Sequence, residues 1–241
     1  MAPMISEKLL ASIRQHTSAE SPNEACGLVI VKRGRHKYIP CKNIAKSKQD
    51  HFVISHEDYA DAEDEGKIVY IVHSHVNIPH LPSDGDKVGI EKSGLPWLII
   101  NEPTGSYGIY EPNGYLAPLV GRAYHHGVLD CYSIIRDYYL SELNVELPDF
   151  DRLNEWWLNG KNMYIENFEK AGFLRVHEPP KTHDVLLMQI ASPVPNHGAI
   201  FLGDGTILQH CANRLSSRDV WGGGWERSTT HVLRHTSCFE K

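Results

Sequence analysis

Apolar side chains at Ile5, Leu9, Leu10 and Ile13 recur at helical spacing, so residues 5–16 predict a helix with one buried face. The rhythm then shortens. The run CGLVIVKRG reads as a strand ending in a turn, and RHKYIPCKN as its hairpin partner. SHEDYADAEDEG opens on a capping serine and is rich in acids, which predicts a short helix with a solvated face. KIVYIVHSH is continuously apolar and β-branched, the texture of a strand covered on both sides. A turn and a short helix follow in DGDKVGIEKSG, and PWLIINEPTGSYGIYEP supplies two more strands around a Pro-Thr-Gly turn.

At residues 111–118, EPNGYLAP, the periodicity stops. The pattern therefore predicts a first domain over 1–112, a linker over 113–118 and a second domain over 119–241. The first is expected to be a mixed sheet flanked by helices. The second starts with the helix DCYSIIRDYYLSEL and continues through a polar, tryptophan-containing stretch into the strands DVLLMQI, HGAIFLGDGTILQHC and THVLRH. Helices first and strands later is an α+β order, and the chain as a whole is a mixed α+β protein. Trp156, Trp157, Trp221 and Trp225 read as apolar anchors. The triple glycine at 222–224 reads as a flexible turn and not a phosphate cradle, because no strand–glycine–helix order surrounds it.

Composition narrows the chemistry. The 241 residues are 41% hydrophobic, enough for packed cores, and carry a formal net charge of −6. A mildly acidic chain is a poor ligand for a phosphate backbone, so nucleic-acid binding is not expected. No apolar stretch approaches the roughly 18 residues of a membrane span. The first 24 residues carry acids early and lack the basic-then-apolar order of a signal peptide, so synthesis in the cytosol without secretion is expected. The five cysteines (Cys26, Cys41, Cys131, Cys211 and Cys238) are odd in number and contain no CxxC pair. That pattern argues against a structural zinc knuckle and against a disulfide scaffold.

His73 and His75 stand one residue apart at the end of a predicted strand. Alternation points both imidazoles the same way, about 7 Å apart along the backbone. A carboxylate from the next helix, Asp86, would complete three zinc ligands and leave a position open. Ser83, in the turn between, is placed to donate to an oxyanion. A water activated at such a site needs a proton acceptor, and Glu24, just before the first strand, is the candidate. His-x-His, seven residues and Ser-x-x-Asp, with NEACGLV upstream, resembles the JAMM metalloproteases of the MPN fold over residues 1–112. The resemblance implies Zn²⁺ held by His73, His75 and Asp86, with Glu24 as general base and Ser83 stabilising the tetrahedral intermediate. One departure is Val76, where many members have proline.

A second set of residues lies past the boundary. Cys131 sits at the start of a predicted helix, where the helix dipole is expected to lower a thiol pKa. A nucleophile there needs a base and an orienting group. His197 heads one strand, and either Gln209 or His210 lies on the strand that the GDG hairpin pairs with it. Neighbouring strand residues face opposite sides, so at most one of the two can orient His197. YHHGVLDCYS together with NHGAIFLGDG resembles the NlpC-type cell-wall peptidases, which have a papain-like fold, over residues 119–241. The resemblance implies that Cys131 attacks, that His197 accepts its proton, and that Tyr124 lines the substrate pocket. The family spacing lands on Gln209, where many members have histidine, and Gln209 is favoured because an amide can orient an imidazole.

The order of the two halves, with SGLPWLI, RLSSRDVWGGGW and the terminal HVLRH, resembles a tail-tip protein family of lambda-like tailed bacteriophages. This implies a tail-tip component with two hydrolase sites, made in the host cytoplasm and carried in the virion. The thiol site would open peptidoglycan stem peptides during DNA entry, and the zinc site would process a tail protein or trim the wall. The partners implied are other phage tail-tip proteins and bacterial peptidoglycan. The rival expectation is a structural plug or assembly factor whose sites are vestigial or occluded. A lower-ranked one is a free isopeptidase that uses only the zinc half.

Overall fold

The computed structural model describes residues 5–150, 152, 155–158 and 160–239, and the chain divides into two units between Leu116 and Ala117. The first unit runs α1 (Glu7–Glu20), β1 (Cys26–Lys32), β2 (Arg35–Cys41), α2 (His56–Glu65), β3 (Lys67–Val76), α3 (Asp84–Ser93), β4 (Trp97–Glu102) and β5 (Tyr107–Tyr110). Its five strands lie in the order β2-β1-β3-β4-β5. The β3–β4 pair is parallel and the other pairs are antiparallel.

The apolar run of β3 is explained by its central place in the sheet. Tyr70 and Val72 pack under Ile5, Leu9, Leu10 and Ile13 from α1 and its lead-in. Ile71 faces the other way, into a cluster with Ala62 of α2 and Ile90 of α3. Each fully buried aliphatic chain in these layers contributes about 1.5–3 kcal/mol. The helix α1 continues beyond the predicted residue 16 because polar contacts hold its last turn. Thr17 Oγ1 and Ser18 Oγ donate to the two oxygens of Glu102, at 3.3 and 3.0 Å. Apolar periodicity carries no trace of such contacts.

The second unit contains α4 (Cys131–Leu143), α5 (Met163–Asn167), β6 (Phe173–Val176), β7 (Val185–Met188), β8 (His197–Phe201), β9 (Thr206–Gln209), β10 (Ser217–Val220), α6 (Gly224–Ser228) and β11 (Thr229–His235). Its sheet is antiparallel, in the order β10-β9-β8-β7-β11-β6. The α4 residues Ile134, Ile135, Tyr138 and Tyr139 cover one face, over Leu187, Ile200, Leu208 and Leu233. Trp221 and Trp225 cover Met188, Ala199, Phe201 and Ile207 on the other. The approach of α4 to β8 is close enough to require Gly198. A Cβ there would stand 2.9 Å from Ile135 Cδ1 and 3.1 Å from the Tyr164 hydroxyl.

The edge strands β6 and β10 escape the sequence pattern: β10 (SRDV) carries little apolar signal, and β6 (FLRV) is only four residues long. The triple glycine also differs from expectation: Gly224 opens the short helix α6, and only Gly223, with φ at +55°, makes the turn.

Candidate active sites

The centre of the first unit's sheet positions one cluster. Alternation along β3 puts His73 and His75 on one face, their ring centroids 4.9 Å apart. At the head of α3, Ser83 and Asp86 form a reciprocal capping box. The Asp86 amide donates to Ser83 Oγ at 3.1 Å, and the Ser83 amide donates to Asp86 Oδ2 at 2.8 Å. The box turns the carboxylate inward, so that Oδ1 lies 3.3 Å from His73 Nε2 and Oδ2 lies 3.2 Å from His75 Nε2. Glu24 precedes β1. Its carbonyl accepts from Asn43 Nδ2 at 2.9 Å, and the next residue, Ala25, is tied to Ser74 on β3. Candidate ligand atoms of Glu24, His73 and His75 all lie within 4.8 Å of one another.

These residues fit a divalent cation. His73 is buried, stacked on Phe52 at 4.6 Å, and neither of its ring nitrogens makes a hydrogen bond among the described residues. An unsatisfied buried polar group costs about 1–3 kcal/mol, which a bound cation would relieve. His75 Nδ1 lies 2.7 Å from the Pro79 carbonyl, an acceptor only, so Nδ1 carries a proton and Nε2 can present a lone pair. Two imidazoles and nearby carboxylates make a nitrogen–oxygen donor set suited to zinc.

The electrostatics follow from burial and from the pairing of these groups. Burial, aided by Asp86 and opposed by His75, pushes Glu24 up to about 8. Burial pulls His73 down to about 4. Burial also pulls on His75, but the hydrogen bonds to Asp86 and Pro79 outweigh it and raise its pKa. Burial opposes ionisation of Asp86, yet the two histidines and Ser83 hold its pKa well below the usual carboxylate range.

The second unit gathers its residues from elements farther apart in sequence. Asp130 caps α4, accepting from the Tyr132 and Ser133 amides at 3.1 and 2.9 Å. Arg152 Nε donates to the same carboxylate at 2.7 Å. Cys131 is thereby held at the first helical position, with Sγ 3.1 Å from the Tyr164 hydroxyl. The expected lowering of its pKa is reversed. Burial first, and then the Asp130 carboxylate, push the Cys131 thiol up to about 11, only partly offset by Tyr164 and the Gly198 amide. A capping carboxylate one residue away opposes the positive end of the helix dipole.

His197 heads β8, and its Nε2 lies 2.9 Å from Gln209 Oε1 and 3.9 Å from Cys211 Sγ. Gln209 Nε2 donates to Asp219 Oδ2 at 2.6 Å. His210 follows the last residue of β9. It is fully buried with its ring edge-on to Tyr124 at 5.2 Å, and it makes no hydrogen bond to His197 among the described residues. Burial, then Arg122, push its pKa down to about 4. Tyr124 lies close enough to Cys131 and Asp130 for burial and their charges to raise its pKa. No hydrogen bond joins Cys131 to His197 among the described residues. Their elements adjoin, with α4 packed on β8 at Gly198. Sequence reasoning missed Tyr164, Cys211 and Asp219, because only the folded sheet brings them to the site.

The two units correspond to two peptidase-type families. Residues 6–109 match the family described as prokaryotic homologs of the JAB domain, and residues 121–234 match the NlpC/P60 family. A mixed-sheet JAB domain followed by an antiparallel NlpC/P60 domain is the class this fold defines. The chain is 35% identical over 231 residues to "Tail tip assembly protein K" of Escherichia phage N15, covering 95% of this chain and 95% of that protein. It is 40% identical over 185 residues to the protein of the same name from Escherichia phage lambda, covering 76% of this chain and 89% of that one. The chain belongs to the tail tip assembly protein K family. Among solved structures it is similar to a JAB1/MPN domain protein from Archaeoglobus fulgidus, 20% identical, with a TM-score of 0.33 over 46% of this chain and 88% of that one.

Proposed function

We propose that the protein is a tail-tip component whose second unit is a cysteine peptidase acting on peptidoglycan stem peptides. The observation that carries this reading is the His197–Gln209 hydrogen bond of 2.9 Å on a strand packed beneath the helix that starts at Cys131. In the reaction, the Cys131 thiol gives its proton to His197 Nδ1 as sulfur attacks the scissile carbonyl carbon. His197 returns that proton to the leaving amine, and water then hydrolyses the thioester. Tyr124 lines the approach. With a thiol pKa near 11, the sulfur needs the imidazole to ionise at neutral pH.

In the first unit, His73, His75 and Asp86 would hold Zn²⁺. When bound, the ion supplies Lewis-acid polarisation to a water and a carbonyl. Glu24 takes the proton of the attacking water and passes it to the leaving nitrogen. Ser83 Oγ accepts from the Asp86 amide, which leaves its own hydrogen free for an oxyanion. The substrate of this site is a tail protein processed during assembly, or the wall itself. The protein is made in the host cytoplasm, assembled with other tail-tip proteins and carried to the cell wall.

Digestion of purified peptidoglycan tests the reading. Wild type should release stem-peptide fragments and Cys131→Ala should not. Equal, null release from both would favour the structural plug.

A further inference from the structure

We propose that Asp219 is a positioning residue for the thiol site: it sets which end of the Gln209 amide faces His197, and so which ring nitrogen of His197 carries the proton. The inference rests on the reading of Cys131 and His197 as nucleophile and base.

A glutamine amide has two ends of nearly equal shape and opposite polarity. Left alone, Gln209 could turn either end to the imidazole. With its NH₂ toward His197, Nε2 must be the acceptor, and the proton of the neutral ring moves to Nδ1. That tautomer cannot receive a proton from Cys131 at Nδ1.

Asp219 removes the ambiguity. An ionised carboxylate only accepts hydrogen bonds, and Asp219 Oδ2 lies 2.6 Å from Gln209 Nε2. Only the NH₂ end of Gln209 can face it. Oε1 is therefore turned to His197 Nε2 at 2.9 Å, and because that oxygen can only accept, Nε2 carries the proton. Nδ1 is left with its lone pair and has no hydrogen-bond partner among the described residues.

The placement comes from strand register. Ser217 pairs with Gln209 across β10 and β9, so Asp219, two residues on, shares the face of Gln209 as a diagonal neighbour. Ser217 Oγ donates to Asp219 Oδ2 at 2.9 Å and holds the carboxylate there. Among the described residues Asp219 forms no salt bridge; its hydrogen bonds go to Gln209 and Ser217. A carboxylate whose hydrogen bonds go to an uncharged amide and a hydroxyl fits an orienting role.

The test uses the full chain labelled with ¹⁵N-histidine. Long-range nitrogen–proton correlation reads the His197 tautomer, assigned by its loss in His197→Ala. Wild type should show the Nε2–H form, and Asp219→Ala a mixture containing Nδ1–H. Iodoacetamide labelling of Cys131 and kcat on peptidoglycan should fall roughly tenfold or more with KM kept. That lies below the ~10⁴ loss a wholly wrong tautomer causes in a serine protease triad. Gln209→Glu combined with Asp219→Asn should restore the Nε2–H form, because a glutamate has no donor end and the new asparagine can donate to it. This rescue separates orientation from damage to the fold. An unchanged tautomer and labelling rate in Asp219→Ala, or a failed rescue in a folded double variant, overturns the proposal. If His197→Ala leaves Cys131 labelling at the wild-type rate, the nucleophile–base reading is what fails, while the tautomer measurement still decides the role of Asp219.

Discussion

The two candidate sites solve opposite electrostatic problems. In the first unit, two imidazoles meet two carboxylates, with Glu24 within 4.8 Å of His73 and His75, and Asp86 3.3 and 3.2 Å from them. Burial dominates their titration, raising Glu24 to about 8 and lowering His73 to about 4, with the neighbouring charges secondary. Such a cluster offers a divalent cation a ready set of nitrogen and oxygen donors. In the second unit, Asp219, Gln209 and His197 are linked by hydrogen bonds along one sheet face, and the pKa of the half-buried Cys131 thiol is raised to about 11. The first arrangement suits an ion and the second suits the orienting of one imidazole. A converging set needs its ligands fixed by one rigid local frame, here β3 and the capping box of α3. A chain of orienting hydrogen bonds tolerates a longer lever because each bond positions only the next group.

If the sites are independent, the largest effects should be exclusive. Cys131→Ala should reduce stem-peptide release to background and leave zinc content, measured by elemental analysis, unchanged. His75→Ala, or chelation, should do the reverse. A zinc loss that also silenced peptidoglycan cleavage would break the comparison.

Next in size is Asp130→Ala. It removes the cap of α4 and one of the two carboxylates paired with the buried Arg152 guanidinium, which keeps Asp149, so urea unfolding should show a loss of about 1–3 kcal/mol. Asp130→Asn keeps much of the cap without the charge. It should lower the Cys131 pKa, read from the pH dependence of iodoacetamide labelling, because the carboxylate is one cause of its elevation.

A third difference lies in pH dependence. Glu24 has a folded pKa of about 8, above its unfolded value of about 4.3. The folded, metal-free protein then binds more protons than the unfolded one between those limits, so this group makes stability fall as pH rises through that window. Asp130 is shifted the other way, because Arg152 and the Ser133 and Gly127 amides outweigh its burial. Its contribution is present above about pH 4 and is lost as pH falls through its lower folded value. Denaturation of metal-free protein across pH should show Glu24→Gln flattening the neutral-range slope and Asp130→Asn flattening the acid limb. The reverse assignment would sink the electrostatic contrast.

The smallest effect is expected from Ser83→Ala, about 1 kcal/mol for a lost helix cap. It should also loosen zinc binding by freeing Asp86, whereas capping changes elsewhere on the surface should not.

Much of the first unit was legible in the chain, because its chemistry sits within one strand–turn–helix stretch. His73 and His75 share a face by strand alternation, and Ser83 and Asp86 share a turn by the capping rule. Glu24 needed the pairing of β1 with β3 to reach them. In the second unit, alternation limited the orienting residue to Gln209 or His210 but did not choose between them. The expected low thiol pKa failed because desolvation of the thiol, and after it the Asp130 carboxylate, raise the pKa, and desolvation is shown by no linear pattern.

The amino-acid sequence alone determined the strand and helix periods, the break after the first half, and which residues share a face, because those depend on neighbours a few positions apart. Tertiary structure decided the rest: Tyr164 against Cys131, Asp219 behind Gln209, Arg152 on Asp130, and the sign of the thiol shift. Each arises from groups far apart in the chain meeting where water is excluded, and there Coulomb and desolvation terms outweigh local preference.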